Sequence, residues 1–165
     1  MKTQTDEVVL STILTFLDEI GMVVKEQELD DTTLLPGLDI SKNTILMDRS
    51  RMKYPGDLLH EAGHLAVTVE EDRSKIGTPE MPPEWPLDGD EIATILWSLA
   101  AAEYLGLPFE LIVHKHGYKN ESDWIVQEYR NGNYIGLPLL EWMGMCVSEA
   151  SDDAKPFPAM LKWLR

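Results

Sequence analysis

The chain is expected to fold as a mostly helical α+β domain with a small β-hairpin or sheet. Three observations predict this class. Apolar residues recur at helical spacing in several segments, two short β-rich runs flank a polar turn, and no repeat, low-complexity tract or linker divides the 165 residues. Domains commonly run to about 100–150 residues, so residues 1–165 read as one domain.

In chain order, the first helix is expected over residues 6–20. Val9, Leu10, Ile13, Leu14, Leu17 and Ile20 share a face there, and Gly21 stops the run. Residues 34–40 and 44–48 are the β-rich runs, joined by the polar turn Ser41-Lys42-Asn43. Tyr54-Pro55-Gly56-Asp57 reads as a turn with Asp57 as N-cap of a helix over 58–69. Residues 77–89 hold Pro79, Pro82, Pro83 and Pro86 and form an irregular connection. Asp90 is expected to cap a second strong helix over 91–105, closed by Gly106-Leu107-Pro108. Shorter helices are expected at 109–115 and 122–130, a turn at 131–136, and one or two short helices in the Trp-, Met- and Leu-rich tail over 137–165.

Composition narrows the function. Hydrophobic residues make up 44% of the chain, enough for a core. Twenty-nine acidic against 14 basic side chains give a net charge of −15, which repels nucleic acid and anionic membranes as main partners. Cys146 is the lone cysteine, so an internal disulfide and a Cys-rich metal cluster are excluded. The N-terminus is a poor signal peptide, and no segment has the ~20 apolar residues of a membrane span. The expected compartment is the cytoplasm. No phosphate loop, G-x-S-x-G elbow or nucleotide fingerprint is present.

The chemistry-bearing motif is His60-Glu61-Ala62-Gly63-His64, an H-E-x-x-H sequence. On a helix, positions i and i+4 share a face, so both imidazoles can hold one Zn²⁺ while Glu61 stands beside them as general base. The bland alternative is a surface helix with two histidines and a glutamate. Leu58, Ala62, Leu65 and Val69 fall on the opposite side, which favours the metal site. A capping Asp57 would also be placed to accept a hydrogen bond from a ligand histidine. A catalytic zinc site needs a third protein ligand and an open position. No third histidine follows the motif, and the next helix offers Glu91 and Glu103, ~120° apart on the wheel, so one cannot substitute for the other. Glu103 shares the face of Ile92, Leu96 and Leu99 and is expected to be buried, whereas Glu91 lies at the helix start.

His60-Glu61-Ala62-Gly63-His64 followed by Glu91-Ile92-Ala93 resembles the gluzincin pattern of zinc metallopeptidases. The run from Glu91 through Ala100 and Ala101 to Leu107-Pro108 also resembles the small ImmA/IrrE-type metallopeptidases, and Tyr54-Pro55-Gly56-Asp57-Leu58-Leu59 resembles small uncharacterised bacterial proteins. The likeness covers residues 54–118. It implies a minimal zincin-like helix pair, Zn²⁺ as cofactor, Glu91 as third ligand, and a His or Tyr that donates to the developing oxyanion. His114 and Tyr118 are the candidates for that donor. The Asn that often follows the ligand Glu in the ImmA/IrrE-type group has no counterpart here.

The expected function is a zinc-dependent hydrolase of gluzincin type, chiefly a peptidase. His60, His64 and Glu91 are its metal ligands, and Glu61, His114 and Tyr118 its catalytic residues. A non-catalytic binding or regulatory protein keeping a zincin-like fold is the alternative, since the chain is short for a peptidase. A hydrolase of non-peptide amides or esters is a third reading. Arg73 reads as a surface ion-pair partner, and Glu70, Glu71 and Asp72 as a solvated helix end. The tryptophans and tail methionines serve a core or a homodimer face equally well.

Overall fold

A computed structural model describes residues 4–118 and 121–165. The start of the N-terminal stretch judged against a signal peptide, residues 1–3, lies outside them. The elements run α1 (Gln4–Glu19), β1 (Val23–Glu26), β2 (Leu38–Ser41), β3 (Thr44–Met47), α2 (Pro55–Val67), α3 (Glu70–Arg73), α4 (Asp88–Leu105), α5 (Ser122–Arg130) and α6 (Leu137–Trp142). The architecture is α+β, with helices packed around a three-stranded sheet of order β1-β3-β2. No helix among the described residues is long and apolar enough to cross a membrane.

The sheet is the expected hairpin plus one strand. β2 pairs antiparallel with β3 across the turn at Lys42, while β1 runs parallel to β3 on its other edge. β1 escaped the sequence reading because its Val-Val-Lys-Glu is almost wholly exposed and shows no alternation. Beneath the sheet, Leu10, Ile13, Phe16 and Leu17 of α1 join Leu58, Leu59 and Leu65 of α2 in one core. Trp97 of α4 is fully buried, with its ring edge-on to Trp163 and its indole N–H donating to the Trp163 carbonyl at 3.0 Å. Trp124 and Trp142 are exposed instead.

α2 is buried on nearly all sides and packs most extensively on α4. It begins at Pro55, earlier than expected, because a first-turn proline lacks only an N–H that would have no helical partner. Tyr54 is therefore the N-cap residue, and Asp57 lies within the first turn. α4 likewise starts at Asp88. The Asp90 carboxylate reaches back to accept from the Leu87 N–H at 3.2 Å, and Gly106 ends the helix at φ 66°. The helix expected over 109–115 shrinks to a 3-10 turn at Phe109–Leu111. Ile112 and Val113 are buried behind that turn, and His114 beside them pairs with Asp57. The tail contains α6 and then an irregular run, tied by a bridge between Cys146 and Met160.

Arg73 is not a surface ion-pair partner. It is 6% exposed, and its Nε donates to the carbonyls of Leu65 and Thr68 at 3.1 and 3.0 Å. Its Nη2 donates to the main-chain oxygen of Arg165 at 2.7 Å. Arg73 thus satisfies the carbonyls at the C-terminal end of α2, where a cation is also favoured by the helix dipole. Arg73→Ala is expected to lower unfolding free energy by about 2 kcal/mol, since buried carbonyls lose a charged donor. Urea denaturation checks this, and an unchanged midpoint would refute the capping role.

Candidate metal centre

One turn of α2 separates His60 from His64, and both rings point from the same face. Their Nε2 atoms lie 3.1 Å apart and the rings stand perpendicular. The first turn of α4 brings in Glu91, whose Oε1 lies 3.3 Å from His60 Nε2 and whose Oε2 lies 3.2 Å from His64 Nε2. Glu61, His60 and His64 form a cluster that can hold a metal ion, with one donor atom from each within 4.8 Å of the others. Both histidines are buried, while the Glu91 side chain is 41% exposed, so the cluster opens to solvent on that side.

The α2–α4 approach builds this arrangement. Gly63 faces α4, and a Cβ there would meet Thr94 Cγ2 at 2.8 Å and Ser98 Oγ at 3.1 Å. Glu91, Thr94 and Ser98 follow helical spacing on the α4 face that meets α2. Ser98 Oγ donates to the Thr94 carbonyl at 2.7 Å. Thr94 Oγ1 lies 3.3 Å from His64 Nδ1, and the Tyr118 hydroxyl lies 3.0 Å from His60 Nδ1. Both ligand candidates are thus held by their rear nitrogens. With Nδ1–H donating to these oxygens, both Nε2 lone pairs face the Glu91 carboxylate, the tautomer a metal requires. Thr94 was not singled out in the sequence, although its place three residues after Glu91 could have flagged it.

His114 and Tyr118 are placed differently from the expected oxyanion donors. Tyr118 sits behind the His60 ring, on the side away from Nε2. His114 Nε2 pairs with Asp57 Oδ1 at 2.8 Å, Tyr54 stacks on its ring at 4.1 Å, and its buried Nδ1 has no hydrogen-bond partner among the described residues. Asp57 therefore serves His114 and not a histidine of the motif. Glu103 is exposed, contrary to expectation, and accepts from the Tyr129 hydroxyl at 2.6 Å, three turns along α4 from the histidines.

The electrostatics follow from this crowding. Burial works to raise the Glu91 carboxyl, but hydrogen bonds and charge from His60 and His64 outweigh it and hold the group well below the usual range. Burial works to lower His60, and Glu91, Glu61 and Asp57 reverse it to a net rise. Burial pushes Glu61 up, only partly offset by His64 and His60, and Asp57 rises by burial against His114. Burial, with the charges of Glu91, Asp57 and Glu61, also raises Tyr118, which stays a neutral phenol.

The donor set fits a small divalent cation. Two imidazole nitrogens and a carboxylate, with their facing atoms 3.1–3.3 Å apart, are the donor types such an ion takes. Tyr118→Phe removes the partner of His60 Nδ1 and is expected to weaken the affinity for a divalent metal ion about 10-fold. Competition with a fluorescent chelator measures this, and an unchanged affinity would contradict the orienting role. No family model, curated protein or solved structure matches the chain.

Proposed function

We infer that the chain is a zinc-dependent hydrolase of gluzincin type, acting on peptide or related amide bonds. One observation carries the reading. Two imidazoles one helical turn apart and a carboxylate from a second helix converge within 3.3 Å, with a further carboxylate, Glu61, alongside. The order of these residues along the chain, H-E-x-x-H and then Glu, supports it by its resemblance to gluzincins.

His60, His64 and Glu91 would hold the ion, leaving the exposed side of the cluster for substrate. Bound Zn²⁺ supplies Lewis acidity there, polarising a carbonyl and lowering the pKa of water toward about 7. The protein's own part falls to Glu61. It accepts a proton from the attacking water as the water oxygen bonds to the amide carbon. It then delivers that proton to the nitrogen as the C–N bond breaks, yielding a carboxylic acid and an amine. Burial pushes the Glu61 carboxyl up, which makes it a stronger proton acceptor than an exposed carboxylate. Tyr118 and Thr94 keep the two rings aimed.

The test is metal dependence. The purified chain is expected to bind about one equivalent of zinc and to cleave members of a short-peptide library. Chelation should abolish cleavage, and zinc should restore it. Equal cleavage by the chelated protein would sink the reading, and so would zinc binding with no amide cleaved.

A further inference from the structure

Beside the histidine pair lies a cleft of about 200 Å³. Glu61 and His64 line it together with the apolar side chains of Leu34, Leu35, Leu38, Trp85 and Pro86. That apolar lining is partly rigid. Trp85 donates its indole N–H to Thr68 Oγ1 at 3.2 Å and stands edge-on to the His64 ring at 6.0 Å. Leu34 is 96% exposed, a large apolar side chain left in water at the rim.

β2 borders the same cleft through Leu38, Asp39 and Ile40. β2 is an edge strand, and such edges offer unpaired groups to which an extended peptide can add as a further strand. Here the outward donors are already engaged. The Leu38 N–H donates to the Leu35 carbonyl at 3.1 Å, the Ile40 N–H to Asp39 Oδ1 at 2.9 Å, and the Lys42 N–H to the Ile76 carbonyl at 2.7 Å. A peptide laid along β2 would therefore find no free donor at Leu38 or Ile40, the two outward positions of the strand, nor at Lys42 in the turn beyond it, and would lose about half of its ladder bonds. Recognition falls instead to the apolar pocket. Its volume suits one side chain, being smaller than the roughly 300–1,000 Å³ of pockets that enclose whole ligands. Asp39 lines the same cleft, and with the net charge of −15 it disfavours an acidic group there.

We propose that this cleft binds a compact substrate, a short peptide or simple amide with one leucine- to phenylalanine-sized apolar group beside the cleaved bond. The substrate is gripped through that group and not through strand pairing along β2. The proposal rests on the hydrolase reading and adds the substrate class to it.

Calorimetry with zinc-loaded Glu61→Gln protein tests it without turnover. The ligands are N-acetyl-leucinamide, N-acetyl-glycinamide and a ten-residue peptide centred on leucine. Leucinamide is expected to bind at least about 10-fold more tightly than glycinamide, because the pocket buries its side chain. The ten-residue peptide should gain less than about 3-fold over leucinamide, since strand addition contributes little. Leu34→Asp, which replaces an exposed side chain and so spares the fold, should cut leucinamide affinity, and Trp85→Ala should erase the leucine preference. Equal binding of leucinamide and glycinamide would overturn the proposal, as would a gain above about 10-fold from peptide length. Leucinamide binding combined with no cleavage of any amide by the wild-type chain would sink the hydrolase reading and leave the cleft assignment standing. Cleavage of peptides without apolar preference would do the reverse.

Discussion

On the hydrolase reading, Glu61→Gln is expected to retain zinc and to lose about 1,000-fold in kcat, the scale of general acid–base catalysis. The substitution keeps shape and volume but replaces a proton acceptor with an amide that cannot exchange a proton. Glu61 belongs to the same cluster as His60 and His64, yet the direct 3.2–3.3 Å contacts to both Nε2 atoms come from Glu91. The two glutamates should therefore fail differently. Glu91→Gln weakens the metal site itself, because a neutral amide replaces the charge that faces both rings. Zinc content measured beside kcat on short leucine peptides separates the two outcomes. Near-normal turnover in metal-loaded Glu61→Gln would remove Glu61 from the mechanism, and loss of zinc from that variant would make it a ligand.

Gly63→Val is expected to cost about 3 to 4 kcal/mol of stability and to lower Tm by roughly 10 °C, at about 2–4 °C per kcal/mol for a chain of this length. A Cβ at residue 63 would come within 2.8 Å of Thr94 Cγ2 and 3.2 Å of the Thr94 carbonyl. Thr94 is fully buried and its β-branched side chain is stiff, so α4 must move as a body. The motion acts on function as well, because Glu91 sits one turn before Thr94 on the same α4 face. Pushing α4 away withdraws the carboxylate from His60 and His64. Thermal denaturation and zinc affinity should therefore fall together. A variant with normal stability and normal affinity would show that the close α2–α4 approach is not needed. Gly56 offers a second check, since a Cβ there would collide with the Leu111 carbonyl.

Much of this was legible without coordinates where a local rule applies. The apolar spacing of α1 and α4 located both helices, and α5 falls at Ser122–Arg130 where its pattern places it. The β2–β3 hairpin was readable from two β-rich runs around a polar turn. The His60–His64 pair needed only the helical repeat, because i and i+4 share a face whatever surrounds them. Less was legible where packing overrides local pattern. β1 is too short and exposed to carry a period, and Arg73 looked like a surface residue because nothing nearby in sequence reveals the carbonyls of Leu65, Thr68 and Arg165 around it. His114 has the right chemistry for a reacting group, yet its partner Asp57 is 57 positions away.

The amino-acid order by itself determined the long helices α1, α2 and α4, the α+β class and the pairing of two imidazoles on one helix face, since each depends on neighbours within a few residues. Only the tertiary structure decided that Glu91 meets those imidazoles while Glu103 turns to Tyr129, that Tyr118 sits behind the His60 ring while His114 pairs with Asp57, and that β2 has no free outward donor beside an apolar cleft. The Glu91 contact depends on how closely α4 approaches α2. Gly63 permits that approach, but its sign and extent emerge only when both helices are packed together.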